Sequence, residues 1–388
     1  MPLETKTDLK IIQKLENLDW ELADADTRYG THSYHPYSAK YIPQIPHYLI
    51  SNLTKKGDTV LDTFLGSGTT LVVAKKLERN AIGVDLNPLA CLISRVKTTA
   101  ITKEKIKKIK ELSQKIKIDI LALRGQTNLF NFQEESKTIK DPKFTELNYY
   151  VEKWFQSKVI AELSVIKEGI DKSKDKIVKD FALVAFSSIL RGISNTASGF
   201  GNLMISKNPP ERKRIFEKFE SSLLSMLEKI DDNEIEPKGI SIHNKDCRNM
   251  PFIEDNSIDL VCTHPPYMAS VPYAEYQRLS LWWLGFNQKQ LDSELIGGKR
   301  SRKDTAERFN KDMELVIKEM YRVLKPKKYC CIVIGNPVYR GKIWELNKIQ
   351  KQQAIDAGFV FLGEIVRGKY KETVGKMKQE FILVFKKP

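Results

Sequence analysis

The chain has 388 residues, and 64 Lys and Arg against 49 Asp and Glu give it a formal net charge of +15. Its 41% hydrophobic content is that of a globular chain with a sizeable core, which excludes a disordered protein and points to one large domain with an insertion, or to two domains. The cation excess makes a polyanion the expected partner, because Lys and Arg that neutralise phosphates release condensed counterions, although a merely Lys-rich surface carries the same charge.

Five cysteines (Cys91, Cys247, Cys262, Cys330 and Cys331) have neither the even count nor the spacing of a disulfide framework, and no CxxC pair suggests zinc. A reducing compartment is expected. His32, His35, His47 and His243 form no metal-ligand pattern, so no metal is assigned. The N-terminus contains acidic residues and no apolar core, and nowhere do about 18 uncharged apolar residues run together. Neither a signal peptide nor a membrane span is expected, and the location is read as cytoplasmic.

Short apolar, β-branched runs bounded by turn residues predict strands at 58–64, 81–86, 239–244, 258–263, 329–336, 359–368 and 380–387. The first five are continuous apolar runs of the kind buried on both faces of a parallel sheet, with helical patterns such as 305–325 between them. The last two alternate and lie a dozen residues apart, which fits an antiparallel pair ending a mixed sheet. The interval of roughly 150 residues between the second and third strands is too long for one crossover and must be an insertion. Its periodicity is helical at 103–123, about 147–172, 176–193 and 210–231, with polar, Gly-containing loops at 124–133 and 194–203. The expected organisation is a first half over 1–100, a helical insertion over 101–237 and a second half over 238–388.

The first strand opens a strand–turn–helix constellation, 59-TVLDTFLGSGTTLVVAKKL-77. Gly66 and Gly68 let the chain turn sharply and approach a ligand, and Thr69 and Thr70 open a helix whose amides favour an anionic group. The third glycine of a dinucleotide fingerprint and the Gly-Lys-Ser/Thr of a P-loop are both missing. Asp85, about 20 residues on at the end of the next strand, stands where a carboxylate would accept the hydroxyls of a ribose. The fourth strand ends in 263-THPPY-267. Two prolines there remove two backbone donors and leave the Pro265 carbonyl to face a pocket. His264 and that carbonyl suit the two protons of an exocyclic amino group, and Tyr267 suits the face of a base flipped out of a duplex. A plain loop constraint would use the same prolines.

These residues resemble a known family. Asp62-Thr63-Phe64-Leu65-Gly66-Ser67-Gly68-Thr69-Thr70 is similar to the cofactor loop of S-adenosylmethionine-dependent amino methyltransferases of DNA, usually Asp-Pro-Phe-x-Gly-Ser-Gly-Thr-Thr. Thr263-His264-Pro265-Pro266-Tyr267 resembles their catalytic tetrapeptide, usually Ser/Asp/Asn-Pro-Pro-Tyr, and 35-HPYSAKYIPQIPHYLI-50 resembles the stretch that precedes their cofactor strand. The resemblance implies a Rossmann-like, seven-stranded mixed sheet of the class I methyltransferase type, with the cofactor motif ahead of the catalytic motif. It implies that Asp62, Phe64, Gly66, Gly68, Thr69 and Thr70 hold the methionine part of S-adenosylmethionine with Lys40 and Pro43 closing over it, that Asp85 takes the ribose, and that Asp246 and Cys247 meet the adenine. His264, Pro265, Pro266 and Tyr267 would form the catalytic site.

The expected activity is methyl transfer to cytosine N4, favoured slightly by the threonine before His264, or to adenine N6, in double-stranded DNA. An RNA (tRNA) amino methyltransferase and an inactive nucleic-acid-binding subunit are the competing readings. His264 departs from the family pattern, and an imidazole accepts a hydrogen bond only when neutral, so activity is expected to fall below about pH 6.5. Thr63 in place of proline affects only turn shape. The insertion is the candidate for target recognition through its Lys-rich helix and its loops. After the catalytic motif, Tyr273, Tyr276, Arg278, Trp282 and Trp283 offer aromatic and cationic groups to nucleotides, with one tryptophan expected in the core, and the basic stretch 298–304 suits phosphates. A companion restriction nuclease and the oligomeric state are left open.

Overall fold

The computed structural model describes residues 6–40, 42–126, 147–197, 203–230, 239–268, 272–297, 304–368 and 379–388. Residues 127–133 and 198–202 of the predicted loops, and 298–303 of the basic stretch, lie outside them. In chain order the elements begin with α1 (Lys6–Glu16), a 3-10 turn (Gly30–Ser33), α2 (Gln44–Leu53), β1 (Thr59–Asp62), α3 (Thr69–Lys76), β2 (Asn80–Val84) and α4 (Pro88–Thr98). The insertion follows as α5 (Lys103–Gln126), α6 (Leu147–Trp154), α7 (Ser157–Asp171), α8 (Lys176–Ile193) and α9 (Ile215–Leu227). The chain then runs through β3 (Ile240–His243), β4 (Ile258–Thr263), α10 (Tyr273–Tyr276), α11 (Arg278–Trp283), α12 (Gln288–Glu294), α13 (Thr305–Val323) and β5 (Leu324–Gly335). A short ribbon of β6 (Val338–Tyr339) and β7 (Lys342–Ile343), then α14 (Leu346–Asp356), β8 (Val360–Arg367) and β9 (Glu380–Lys386) complete it.

Seven strands form one sheet in the order β3-β2-β1-β4-β5-β9-β8. β9 alone runs against its neighbours, so the expected mixed sheet with one antiparallel strand is what forms. Along the central strands alternate residues enter opposite layers. Val60, Leu260, Cys331 and Val333 face the layer of α1, α2 and α3, while Leu61, Val261, Cys330 and Ile332 face α13 and α14. Because the chain goes from β1 to β2 on one side but returns to β4 on the other, a crevice opens at the carboxyl ends of β1 and β4, where open α/β sheets bind ligands.

Several local expectations change. β3 is an edge strand with half-buried residues throughout, not a strand covered on both faces. β9, read as alternating, is buried along nearly its whole length because it lies between β5 and β8. β5 starts at Leu324, inside the predicted helix, since Pro326 pushes the residue before it toward extended backbone and Leu324 pairs with Ile258. The helix expected over 147–172 breaks at Phe155–Gln156, where the Asn195 amide donates to the Trp154 carbonyl at 2.7 Å. The one expected over 210–231 starts only at Ile215, after Arg214 adopts a left-handed conformation.

The insertion does not stand apart from the sheet domain. Phe181, Phe186 and Leu190 of α8 share one apolar cluster with Leu92, Ile93 and Val96 of α4 and with Leu279 and Trp283 of α11. At the opposite end of the chain, buried Asp8 anchors α1 by accepting from Lys386 Nζ at 2.9 and 2.8 Å and from the Tyr329 hydroxyl at 3.0 Å. Asp8→Ala strips two buried donors of this acceptor, so urea denaturation should show a loss of about 1–3 kcal/mol in unfolding free energy with an unchanged slope.

Candidate active site

The loop after β1 is shaped by backbone that only glycine adopts without strain. Gly66 and Gly68 have φ of +49° and +79°. A Cβ on Gly68 would lie 2.7 Å from Ser94 Oγ and 2.9 Å from Ser94 Cβ, so α4 packs directly on the turn that starts α3. Asp62 ends β1 fully buried and accepts three hydrogen bonds: from the Phe64 amide at 3.0 Å, Thr70 Oγ1 at 2.6 Å and Thr263 Oγ1 at 2.8 Å. Burial pushes this carboxyl up, and the three donors oppose that rise. One side chain thus ties β1, the start of α3 and the end of β4 together.

A cavity of about 770 Å³, counted with the open solvent at its mouth, occupies the crevice. Its wall includes Lys40, Phe64, Gly66, Thr69, Asp85, Cys247, His264 and Pro266. These eight expected site residues, drawn from five separate stretches of sequence, are brought together. Pro43, Asp62, Gly68, Thr70, Asp246, Pro265 and Tyr267 are not on that wall. Asp62, Gly68 and Thr70 stand behind it as the scaffold of the loop, and Pro43 precedes α2 as its N-cap residue. Asp246 gives both carboxylate oxygens to Arg248 Nε at 3.0 and 2.9 Å, and Arg248 also bonds Asp312 at 2.9 Å.

Asp85 is held at the rim by the Gly66 amide on one oxygen and the Asn87 amide on the other, both at 2.8 Å. Desolvation outweighs those bonds and pushes its pKa up to about 6. Lys40 lines the cavity and donates to the His32 carbonyl at 2.9 Å. His35 donates through Nδ1 to the Pro36 carbonyl at 2.7 Å and meets Ser187 Oγ of α8 through Nε2 at 2.9 Å. Burial lowers its pKa to about 4, so it is a neutral strut between the early segment and the insertion.

His264 follows β4 with its side chain only 8% exposed. Burial is the main effect on it and lowers its pKa, with Glu380 pulling up and Arg367 pulling down. The charge change that sequence reasoning places near pH 6.5 therefore belongs below it. Tyr267 is turned away from the cavity, its ring edge-on to His264 at 5.0 Å between centroids and its hydroxyl bonded to Glu380. Tyr273 lines the cavity instead. Trp282 and Trp283 are both buried, Trp283 edge-on to Phe155 and Phe186, and Arg278 lies over the Trp154 ring at 5.5 Å.

Sequence reasoning missed Tyr37, Asn87, Gln277, Glu380 and Arg367. Tyr37 and Asn87 are on the cavity wall, and Asn87 donates to Gln277 at 2.5 Å, which joins the start of α4 to the turn before α11. The Asn87-Pro88 pair is a readable helix start, and Asn87 accepts from the Leu89 amide. Glu380 and Arg367 carried no local signal.

The sequence profile of the N6_N4_Mtase DNA methylase family matches residues 10–95 and 258–388, which hold every part of the cavity wall except Cys247 and leave the insertion unmatched. The type II methyltransferase M.MvaI of Kocuria varians is 27% identical over 81% of this chain and 78% of its own length. M.MjaII of Methanocaldococcus jannaschii, also a type II methyltransferase, is 24% identical over 94% of this chain and 84% of its own. A shorter match, 43% identical over 21% of this chain and 24% of the relative, is to the type II methyltransferase M.BglI of Bacillus subtilis.

Gly68→Ala adds φ strain and a contact with Ser94, and thermal unfolding should report a loss of about 2 kcal/mol or more. Adding Ser94→Gly should recover the contact part but not the strain; full recovery would show that φ at this position costs nothing.

Proposed function

Because the chain belongs to the N6/N4 family of DNA methylases, whose profile covers more than half of it, we propose that it moves the methyl group of S-adenosylmethionine onto the exocyclic amino nitrogen of a cytosine turned out of duplex DNA into the cavity. The meeting of the β1–α3 loop, Asp85 and His264 on one wall carries this reading. The choice of cytosine N4 rests on the resemblance of Thr263–Tyr267 to the Thr-Ser-Pro-Pro-Tyr form of the motif.

The donor set fits the cofactor of this family. Asp85 offers carboxylate oxygens to a ribose diol, Lys40 and the amino end of α3 favour a carboxylate, and Leu86, Cys247 and Ile296 make an apolar slot for a flat ring. Bound there, S-adenosylmethionine supplies an electrophilic methyl on a sulfonium. Asp62, Gly68, Thr70 and Thr263 hold the loop in shape. Asp246 is engaged by Arg248, so Cys247 faces the ring position.

The chemical demand on the protein is to make a poor nucleophile better. An aromatic amino nitrogen has its lone pair delocalised into the ring. Neutral His264, on the cavity wall, accepts one of its protons, which favours the pyramidal nitrogen with its lone pair toward the methyl group. Transfer is direct, so positioning supplies most of the rate. Tyr273 offers its ring to the base. The insertion reads the target, with Lys103, Lys107, Lys110 and Lys115 on the exposed face of α5 available to phosphates.

Incubation with methyl-labelled cofactor and either DNA or tRNA, followed by digestion, identifies the product. Label in N4-methylcytosine from DNA is expected. Label in N6-methyladenine moves the acceptor atom, label in tRNA alone overturns the DNA reading, and DNA binding without cofactor binding marks an inactive subunit.

The acid dependence should split in two. Asp85 accepts the ribose hydroxyls when ionised and its pKa is about 6, so calorimetry should show the cofactor Kd rising about tenfold per pH unit below that value. Asp85→Asn should bind weakly and flatten that dependence. The fall in kcat, governed by His264, should come at lower pH than for a free imidazole; a kcat limb at or above pH 6.5 would contradict the burial of this ring.

A further inference from the structure

Behind His264 runs a buried polar chain that methyl transfer as described does not call for. His264 Nε2 lies 2.8 Å from the Tyr267 hydroxyl oxygen, and the Tyr267 hydroxyl bonds Glu380 Oε1. Glu380 Oε2 accepts from Arg367 Nη1, and Arg367 Nε donates to the Trp20 carbonyl at 3.1 Å. Glu380 and Arg367 are each 4% exposed and stand directly opposite one another in the β8–β9 register. β9 is the antiparallel strand, so its first residue reaches the sheet edge where β4 ends.

Burial pushes the Glu380 carboxyl up, while a charged His264, the Tyr267 hydroxyl and Arg367 pull it down and leave it below the usual range; with the ring neutral, the ion pair with Arg367 and the Tyr267 hydrogen bond still hold the charge. It is a carboxylate at neutral pH, and a carboxylate only accepts. The Tyr267 hydroxyl has one proton, and it goes to Glu380. Toward His264 the tyrosine oxygen can then only accept, so Nε2 must carry the ring's N–H. A neutral imidazole has one such proton, which leaves the lone pair on Nδ1.

We propose that Glu380, held by Arg367, is a positioning residue that selects the Nε2–H tautomer of His264 through Tyr267, so that Nδ1 is the atom that accepts from the exocyclic amino group of the base. The final clause rests on the function proposed above; the tautomer does not. Among the described residues, the charged and titratable groups acting on the ring include Glu380 of β9, Arg367 of β8 and Tyr267 of its own loop. Glu380 raises its pKa and Arg367 lowers it, so neutralising Glu380 moves the acid limb of kcat further down.

The test is nitrogen-15 NMR of the histidine-labelled full chain at pH 7.5, where the unprotonated ring nitrogen of His264 is expected to be Nδ1. Glu380→Gln can donate as well as accept, so it should yield a mixed or reversed tautomer, a kcat at least about tenfold lower with unchanged cofactor KM, and an acid limb at lower pH. Tyr267→Phe cuts the chain while keeping the Glu380–Arg367 pair, and should give the same tautomer mixing. A proton on Nδ1 in the wild-type chain overturns the proposal, even if Glu380→Gln fails to fold. An unaltered spectrum and kcat in Glu380→Gln also overturn it. The expected tautomer in a chain that methylates no base would leave the relay standing and remove the function.

Discussion

Everything at the sheet's carboxyl edge hangs on the Asp62 carboxylate. It is buried at the end of β1 and is satisfied by a loop amide, by a hydroxyl at the start of α3 and by a hydroxyl at the end of β4. Removing a carboxylate from water is costly, and only donors fixed in place offset that cost. The loop after β1 and the loop after β4 therefore cannot move independently. Thr63 adds a second link, its hydroxyl 3.1 Å from that of Thr263. The residue that departs from the family's proline at this position thus strengthens the same junction.

The same economy of buried charge recurs across the site. Asp85 keeps a high pKa because its two amide donors do not fully repay its desolvation, which leaves it ready to gain from hydroxyls brought by a ligand. Glu380 is the opposite case, a buried carboxylate held ionised by Arg367 and Tyr267. His35 and His264 are both kept neutral by burial but do different work. The first braces the early segment against α8. The second faces the cavity. Neutrality leaves each ring one acceptor nitrogen, which a charged ring would lose.

The insertion interrupts the sheet domain in sequence without forming a separate core. Trp283, which by composition could have stacked on nucleotides, closes the apolar cluster between α8, α11 and α6–α7. Within the insertion, Arg124 at the end of α5 is clamped between Glu162 of α7 and Glu217 of α9 at 2.8 to 3.0 Å. Part of the basic excess is thus spent on internal order. Lysines of α5 that face solvent remain for a polyanion, and His35 ties α8 of the insertion to the early segment.

The sequence by itself determined the elements whose signals are local. The glycine turn after β1, the paired prolines after β4 and the apolar runs between them specify a layered α/β sheet with its loops at one edge, because turn geometry and side-chain periodicity depend on near neighbours. Asp85, Lys40 and His264 could be named because their motifs are contiguous. Which groups face the cavity was decided only when the strands paired. Asp62 and Thr70 belong to the motif yet turn inward and bond each other, and Thr263, some 200 residues away, donates to the same carboxylate. Tyr267 turns from the cavity because the reversed direction of β9 delivers Glu380, 113 residues later, to its hydroxyl. Strand order and polarity set such meetings, and they arise from the competition of whole faces for burial, which no single stretch of residues records.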